Sequence, residues 1–372
     1  MPEHKAFRKI IYISPVDSGF IKNDLALLGK SYRLVSQLFP WRNPLTLPLN
    51  LLRQILMLCL EIRGTKAIFV SFAGYWAILP GLFGRLTGKP VFLILHGTEC
   101  ASIPSVPYGS LRKKMSRAAC RLSMHLATRL LPVSESLVYM ENSFYDSGKP
   151  EEIRQGYKHF FPHLKTPYTV IGNGLNTMFW EKLPDIRKED NTFIAVIGQG
   201  QFVLKGGDLI LQVAGDFPDC LFHIVGCSPP SGPLPGNVIF TGRLTMEELK
   251  QQYSRCRFHM QLSIFEGFGL ALCEAMSCEC IPIVSAVNIL PEIAGDTGFV
   301  LGKRDTALLR EVIVRALSLE NKEEAGRKAR ARIVERYPLD KRGHALTALP
   351  EIRDSAQKGS RSSCPGMPEG KQ

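Results

Sequence analysis

Apolar residues in this chain follow two rhythms. Short blocks rich in β-branched and aromatic residues lie at 9–13, 32–35, 67–72, 91–95 and 130–133, and such blocks predict buried strands. Between them, over 22–29, 49–62, 75–86 and 111–128, apolar residues recur every three to four positions, the spacing that lines one side of a helix. Alternating strands and helices predict a parallel sheet with helices on both faces, because parallel neighbours need a crossover to connect them. After 168–171 the dipeptide Asn173-Gly174 signals a turn, and the polar stretch 181–191 reads as a domain boundary. The alternation then restarts, with strands at 193–197, 221–225, 238–240, 258–262 and 281–284 and helices at 207–214, 247–255, 270–278, 290–294, 306–319 and 322–336. The expected fold class is α/β, two Rossmann-like domains (1–180 and 181–354) facing a central cleft at the carboxyl ends of their strands. Residues 355–372 are too poor in apolar side chains to pack and are expected to be a disordered tail.

An apolar fraction of 45% over 372 residues excludes a wholly disordered protein and supplies two cores. The net charge of +12 is unevenly placed: residues 1–180 hold 22 basic and 10 acidic side chains, whereas 181–372 hold 24 of each. Such a division points to halves with different partners. The excess is densest in 111–131, LRKKMSRAACRLSMHLATRLL, which contains no acid. There Lys113, Arg117 and Arg121 fall four apart on one helical face, with Met115, Ala118, Leu122 and Leu126 expected on the apolar side. This segment fits either a solvated helix face or an anionic membrane or acceptor surface, where each nearby cation is worth about 1 kcal/mol. Aromatics of the base-stacking kind are not interleaved with it, so nucleic acid is not an expected partner.

The ten cysteines lie mostly in apolar runs without a C-x-x-C pair and are expected to be reduced and buried; Cys278 and Cys280 lack further ligands at zinc spacing. No metal site is expected, since no Asp-x-Asp stands at a strand end. The start, MPEHKAFRKIIYISP, moves into a strand and does not read as a signal peptide. The most apolar stretch, 45–62, is interrupted by Pro48, Asn50, Arg53, Gln54 and Glu61, short of the roughly 18 continuous apolar residues of a membrane span. The expected location is cytoplasmic, or peripheral on the inner face of the membrane.

The most informative segment is 258–284, FHMQLSIFEGFGLALCEAMSCECIPIV. A strand runs into Glu266-Gly267-Phe268-Gly269, and a helix begins near Leu270. Glycines at a strand-to-helix turn let backbone N–H groups approach a ligand, and the helix start adds unpaired donors and partial positive charge, which suits a diphosphate. Glu266 lies in the loop and Glu274 on the second helical turn, either facing two ends of one ligand or serving as an ordinary helix start and surface glutamate. His96 follows the apolar strand VFLIL and could meet a ligand hydroxyl in the cleft or act as a structural cap. Gly19, in the loop after IIYIS, reads as a plain turn or a close approach to a ligand.

EGFGLALCE, Glu266 to Glu274, resembles the E-x7-E motif of the glycosyltransferase family 4 group, retaining enzymes with the GT-B fold. The resemblance extends to LILHGTE around His96, LLPVSESL around Ser134, VIGNGLNTMF around Asn173, AVIGQGQFVLKGGDLIL up to and beyond Lys205, and HIVG and FTGRLTMEEL. It implies a GT-B glycosyltransferase that moves a sugar, with retention and without metal or other cofactor, from a nucleotide-diphosphate sugar to a glycan or lipid-linked acceptor in cell-surface polysaccharide or glycolipid synthesis. It further implies that Glu274 binds the ribose hydroxyls and that Glu266 and His96 stand near the transferred sugar. The N–H groups of Phe268, Gly269 and Leu270, with Gly267 in the turn, would contact diphosphate or sugar, Lys205 would pair with the diphosphate, and Gly19 would face it across the cleft. The family usually carries an Arg six residues before that Lys; here the position is Gln199, with Arg243 of FTGR as a candidate replacement. That departure raises a second reading, a catalytically weak sugar-nucleotide-binding subunit.

Overall fold

The computed structural model describes residues 8–41, 43 and 45–352. The tail expectation for 355–372, and Cys364 within it, lie outside the described residues.

In the first half the chain runs β1 (Lys9–Ser14), α1 (Gly19–Gly29), β2 (Arg33–Leu38), α2 (Leu47–Glu61), β3 (Thr65–Ser71), α3 (Ile78–Thr87), β4 (Val91–Leu95), α4 (Lys114–Leu126) and β5 (Arg129–Pro132). These strands form one parallel sheet in the order β2-β1-β3-β4-β5. A two-residue antiparallel pair, β6 (Met140–Glu141) with β7 (Arg154–Gln155), and the short α5 (Tyr157–Phe160) precede the second half. There β8 (Glu189–Val196), α6 (Gly207–Ala214), β9 (Leu221–Val225), β10 (Val238–Gly242), α7 (Met246–Arg255), β11 (Cys256–Gln261), α8 (Leu270–Ser277), β12 (Ile281–Ser285), α9 (Leu290–Ala294) and β13 (Phe299–Leu301) follow. They build a six-stranded sheet ordered β10-β9-β8-β11-β12-β13, and α10 (Thr306–Leu317), α11 (Lys322–Arg336) and α12 (Leu339–Thr347) complete the described chain.

The apolar blocks became strands because both faces of each sheet are covered: β4 is buried along its whole length, as are β11 and β12. Two expected helices start late. Helix α3 begins only after a 3-10 turn at Tyr75–Ala77, and α4 after another at Ser110–Arg112. The turn of α4 seen by the sheet is also not the expected one. Cys120, Ser123, Met124 and Leu126 are buried, whereas Met115 is 88% and Leu122 45% exposed and Ala118 is exposed. Of the four residues expected to pack, only Leu126 does. The close approach of α4 to α3 is made at Gly81, where a Cβ would fall 2.7 Å from that of Leu126.

Helix α12 falls in the stretch expected to belong to the second domain, yet it packs on α1 of the first sheet. Arg342 there grips the buried Asp24 through two bonds, Nε to Oδ1 at 2.5 Å and Nη2 to Oδ2 at 2.8 Å, and donates from Nη1 to the carbonyls of Ile171 and Gly172. The last described helix therefore ties the connection between the halves to the first sheet. Nine cysteines are described; all are free, and only Cys59 is exposed. Among the described residues, no helix is long and apolar enough to cross a membrane.

Candidate functional site

In each sheet the chain reverses its direction of growth at one point, between β1 and β3 and between β8 and β11. Loops leaving neighbouring strands diverge there and open a crevice at the carboxyl end. In the second sheet those loops are 197–206, after β8, and 262–269, after β11. They bring Lys205 and Glu266 together: Lys205 Nζ forms an ion pair with Glu266 Oε2, in side chains only 18% and 13% exposed. The same carboxylate oxygen accepts from Gln261 Nε2 at 2.7 Å and from Ser263 Oγ at 3.4 Å, while the Glu266 N–H donates to Asn288 Oδ1 at 2.9 Å. Lys205 is thus neither a solvated lysine nor a free one; it is held at the switch point.

Next to this pair the chain enters α8. Gly269 caps the helix with φ +97°, a conformation that disfavours a side chain, and the N–H groups of Phe268, Gly269 and Leu270 have no acceptor among the described residues. Phe268 itself is buried, its ring edge-on to Tyr337 and packed toward Gly172. Gly267 meets the first half directly, since a Cβ there would fall 1.8 Å from the His96 carbonyl oxygen, and its own carbonyl accepts from Ser134 Oγ at 2.8 Å. One turn into α8, Glu274 is half-buried and pairs with no cation among the described residues. Burial pushes its carboxyl up to about 8, so at neutral pH it is largely protonated.

From the first sheet, His96 leaves the end of β4 with its ring between Phe20 and Phe72, at centroid distances of 4.7 and 4.5 Å. Burial, aided by the Arg342 charge, holds the imidazole well below its ordinary range, so it is neutral at physiological pH. A neutral imidazole can donate or accept a hydrogen bond with a hydroxyl; its Nε2 lies 3.4 Å from Ser71 Oγ. Gly19 opens α1 on the same side, is exposed, and has nothing within 4 Å of where a Cβ would stand, so its position imposes no steric demand for glycine.

The other expected residues are more peripheral. Gln199 is exposed and its Oε1 accepts from the Ser228 N–H at 3.1 Å. Arg243 is exposed after β10 and forms no ion pair with a described residue. Arg117 and Arg121 are exposed along α4, whereas Lys113 is exposed in the extended residue before the helix and so is not on the expected helical face; Arg117 is anchored by its Nε to the Leu111 carbonyl at 2.7 Å and lies over the Phe160 ring. Among the described residues no group of three His, Cys, Asp or Glu could hold a metal ion.

Several supports went unnoticed in the sequence. Glu99, fully buried, accepts from the N–H groups of His96 at 2.8 Å and Gly97 at 3.2 Å and from Thr98 Oγ1 at 3.1 Å, and so fixes the turn that carries His96. An acid three residues after a strand-ending His-Gly is a turn-capping pattern that could have been read. Asn288 joins Glu266 to Ser136 Oγ, at 3.0 Å, across the halves; a lone asparagine gives no such signal.

Comparison with known proteins follows the same lines. Residues 179–333 match the family Glycosyl transferases group 1. A serotype-specific mannosyltransferase, WbdA of Escherichia coli, is 33% identical over 103 residues, 28% of this chain and 13% of that protein, so the chain spans about an eighth of the length of the curated relatives it first matches. Among solved structures, the sucrose-phosphate synthase tll1590 of Thermosynechococcus elongatus superposes with a TM-score of 0.68 at 17% identity over 94% of this chain and all of that one. Anabaena Alr3699/HepE in complex with UDP-glucose gives 0.66 at 14% identity, over 94% and 99%. The two parallel sheets have the GT-B arrangement.

Proposed function

Residues 179–333 belong to the Glycosyl transferases group 1 family, and from that premise we propose that the chain transfers a sugar from a nucleotide-diphosphate sugar to a glycan or lipid-linked acceptor. The observation that carries this reading is the Lys205–Glu266 contact beside the open start of α8. A diphosphate arriving there would take the unpaired N–H groups of Phe268, Gly269 and Leu270 and share Lys205 with Glu266. Negative charge that grows on the leaving diphosphate is then met by donors already in place. Glu274 would accept from ribose hydroxyls, giving up its proton as it does so. His96, neutral and set between two aromatic rings, would hydrogen-bond the transferred sugar or the incoming hydroxyl. Gln199 and Arg243 would contribute from the rim of the donor site, and Gly19 would face the diphosphate across the cleft.

Glu266 is already committed to Lys205, Gln261 and Ser263, which suits a positioning carboxylate and not a nucleophile. We therefore assign retention to same-face attack: the acceptor oxygen bonds to the anomeric carbon as the bond to diphosphate breaks, and the departing diphosphate takes the acceptor proton. No metal is required in this scheme. The relative's name makes mannose the first sugar to try, and the HepE complex makes uridine diphosphate the first nucleotide. Surface polysaccharide or glycolipid is the acceptor class favoured, reached from the cytoplasmic side, with Lys113, Arg117 and Arg121 facing an anionic acceptor or membrane.

Gln199, bound to a backbone N–H and bringing no charge, favours a second reading: a subunit that binds a sugar nucleotide and turns it over weakly. One screen separates the two. A panel of nucleotide sugars is tested for a rise in thermal midpoint and for release of nucleoside diphosphate. The transferase reading expects both from at least one donor; a midpoint shift without release favours the binding subunit, and neither effect removes both.

A further inference from the structure

Helix α2 is built inside out. Its buried positions are Asn50, Gln54 and Leu58, and the two amides are satisfied by backbone, Asn50 Nδ2 to the Pro40 carbonyl at 3.1 Å and Gln54 Nε2 to the Trp76 carbonyl at 3.0 Å. Its outer side carries Leu49, Leu52, Leu56 and Leu60, which with the preceding Leu45 are 48–88% exposed. Spacings of three, four and four residues place the four helical leucines on one ridge, with Leu45 exposed in the turn before it. A surface helix ordinarily turns such a stripe toward the core. Here the inward hydrogen bonds fix the helix the other way, and the leucines face outward.

The ridge does not stand alone. Right-handed crossovers from β2 to β3, β3 to β4 and β4 to β5 put α2, α3 and α4 on one face of the sheet, opposite α1 and α12, and α3 packs against both neighbours. That layer also exposes Leu86 at 83% and Met115 at 88%. Its three helices contain a single acid, Glu61, which is spent on Lys9 at 2.8 Å, against the cations Arg53, Arg85, Lys114, Arg117 and Arg121. At the far edge, α4 and residues 160–164 bound a cavity of about 650 Å³ lined by Arg117, Arg121, Phe160 and Leu164, with Arg117 over the Phe160 ring.

Exposed leucines beside unopposed cations narrow the choice of occupant. A second copy packed ridge to ridge would bring like charges together, and Glu61, the single acid of these three helices, is already paired with Lys9. An anionic bilayer accepts both features at once, the apolar ridge entering the headgroup and acyl boundary while the cations meet lipid phosphates. We propose that the α2–α3–α4 layer docks on an anionic lipid surface, with the leucine ridge of α2 as its inserted element and α4 as its electrostatic contact. This deepens the proposed function, and rests on it, only in fixing where a lipid-linked acceptor would arrive.

Flotation with phosphatidylcholine vesicles, with and without phosphatidylglycerol, tests the docking without reference to turnover, so its failure leaves the donor site untouched. The wild-type chain is expected to float with the anionic vesicles and not with the neutral ones. The triple variant Leu52→Ser, Leu56→Ser, Leu60→Ser should lower partition at least about tenfold, the scale set by apolar area lost from an interfacial helix. Because these side chains are exposed, its thermal midpoint should match the wild type. The pair Arg117→Gln, Arg121→Gln should erase the preference for phosphatidylglycerol. Three results would overturn the proposal: no flotation of the wild type, flotation of the folded triple variant at the wild-type level, or a wild-type dimer that the triple variant converts to monomer without lipid being bound.

Discussion

Removing Lys205 separates its role in holding the empty loop from its role with a ligand. In Lys205→Met, Glu266 keeps its bonds from Gln261 and Ser263 but loses its counter-charge in a site where it is only 13% exposed. A charge-assisted bond of this kind contributes about 1.5–3 kcal/mol net, and because two neutral donors remain, the cost to stability should fall near the lower end. Donor turnover should fall much further, by about a hundredfold or more, as for loss of a preorganised partner to transition-state charge. The double variant Lys205→Met, Glu266→Gln removes the stranded charge and should recover most of the lost stability while leaving turnover low. Urea midpoints and nucleoside diphosphate release, measured on the wild type, Lys205→Met, Glu266→Gln and the double variant, give both axes. Wild-type-like turnover in Lys205→Met would refute the role assigned to Lys205; equal stability in all four would refute the coupling.

The remaining expectations concern the surrounding scaffold. Gly267→Ala places a methyl 1.8 Å from the His96 carbonyl oxygen and must push the two loops apart, so both thermal midpoint and turnover should drop; a normal midpoint with normal turnover would contradict the close approach. Arg342→Met strands the buried Asp24 and should cost about 3–5 kcal/mol by denaturant titration, whereas Arg342→Met with Asp24→Leu should be milder. For Glu274, the folded pKa of about 8 exceeds the ordinary value of 4.5, so its proton stabilises the fold below pH 4.5, and that contribution is lost as pH rises through 8. Glu274→Gln should therefore gain midpoint relative to the wild type at pH 9 over pH 5, and lose donor affinity at both; an unchanged pH difference would count against the burial of this carboxyl.

The sheets were legible because their strands are buried on both faces, which leaves continuous apolar blocks such as 91–95 and 281–284 in the sequence. Amphipathic spacing found the helices but not always which side faces inward. In α4 the inward side includes Cys120 and Ser123, bonded to Ala73 and Gly74 in the loop after β3, and in α2 it carries two amides whose backbone partners stand ten and twenty-two positions away. Helix α12 was invisible for the opposite reason: LDKRGHALT shows little apolar stripe, and what anchors it is a buried ion pair to a residue 318 positions earlier. Of the candidate site, the glycine-rich turn and Lys205 could be read locally, since a helix start and its loop are encoded in adjacent residues. That Lys205 meets Glu266, and that Glu99 and Asn288 brace the loops, depends on the switch-point topology and on contacts between the halves.

The central claim is that Lys205 and the start of α8 form a diphosphate site. Titration calorimetry with UDP, GDP and ADP on the wild type and on Lys205→Ala tests it without knowledge of sugar or acceptor. At least one nucleoside diphosphate should bind the wild type, with affinity at least about tenfold lower in the variant, the loss expected for one charge-assisted contact. Equal affinity of wild type and variant for every nucleotide that binds, or no binding by the folded wild type, would contradict it.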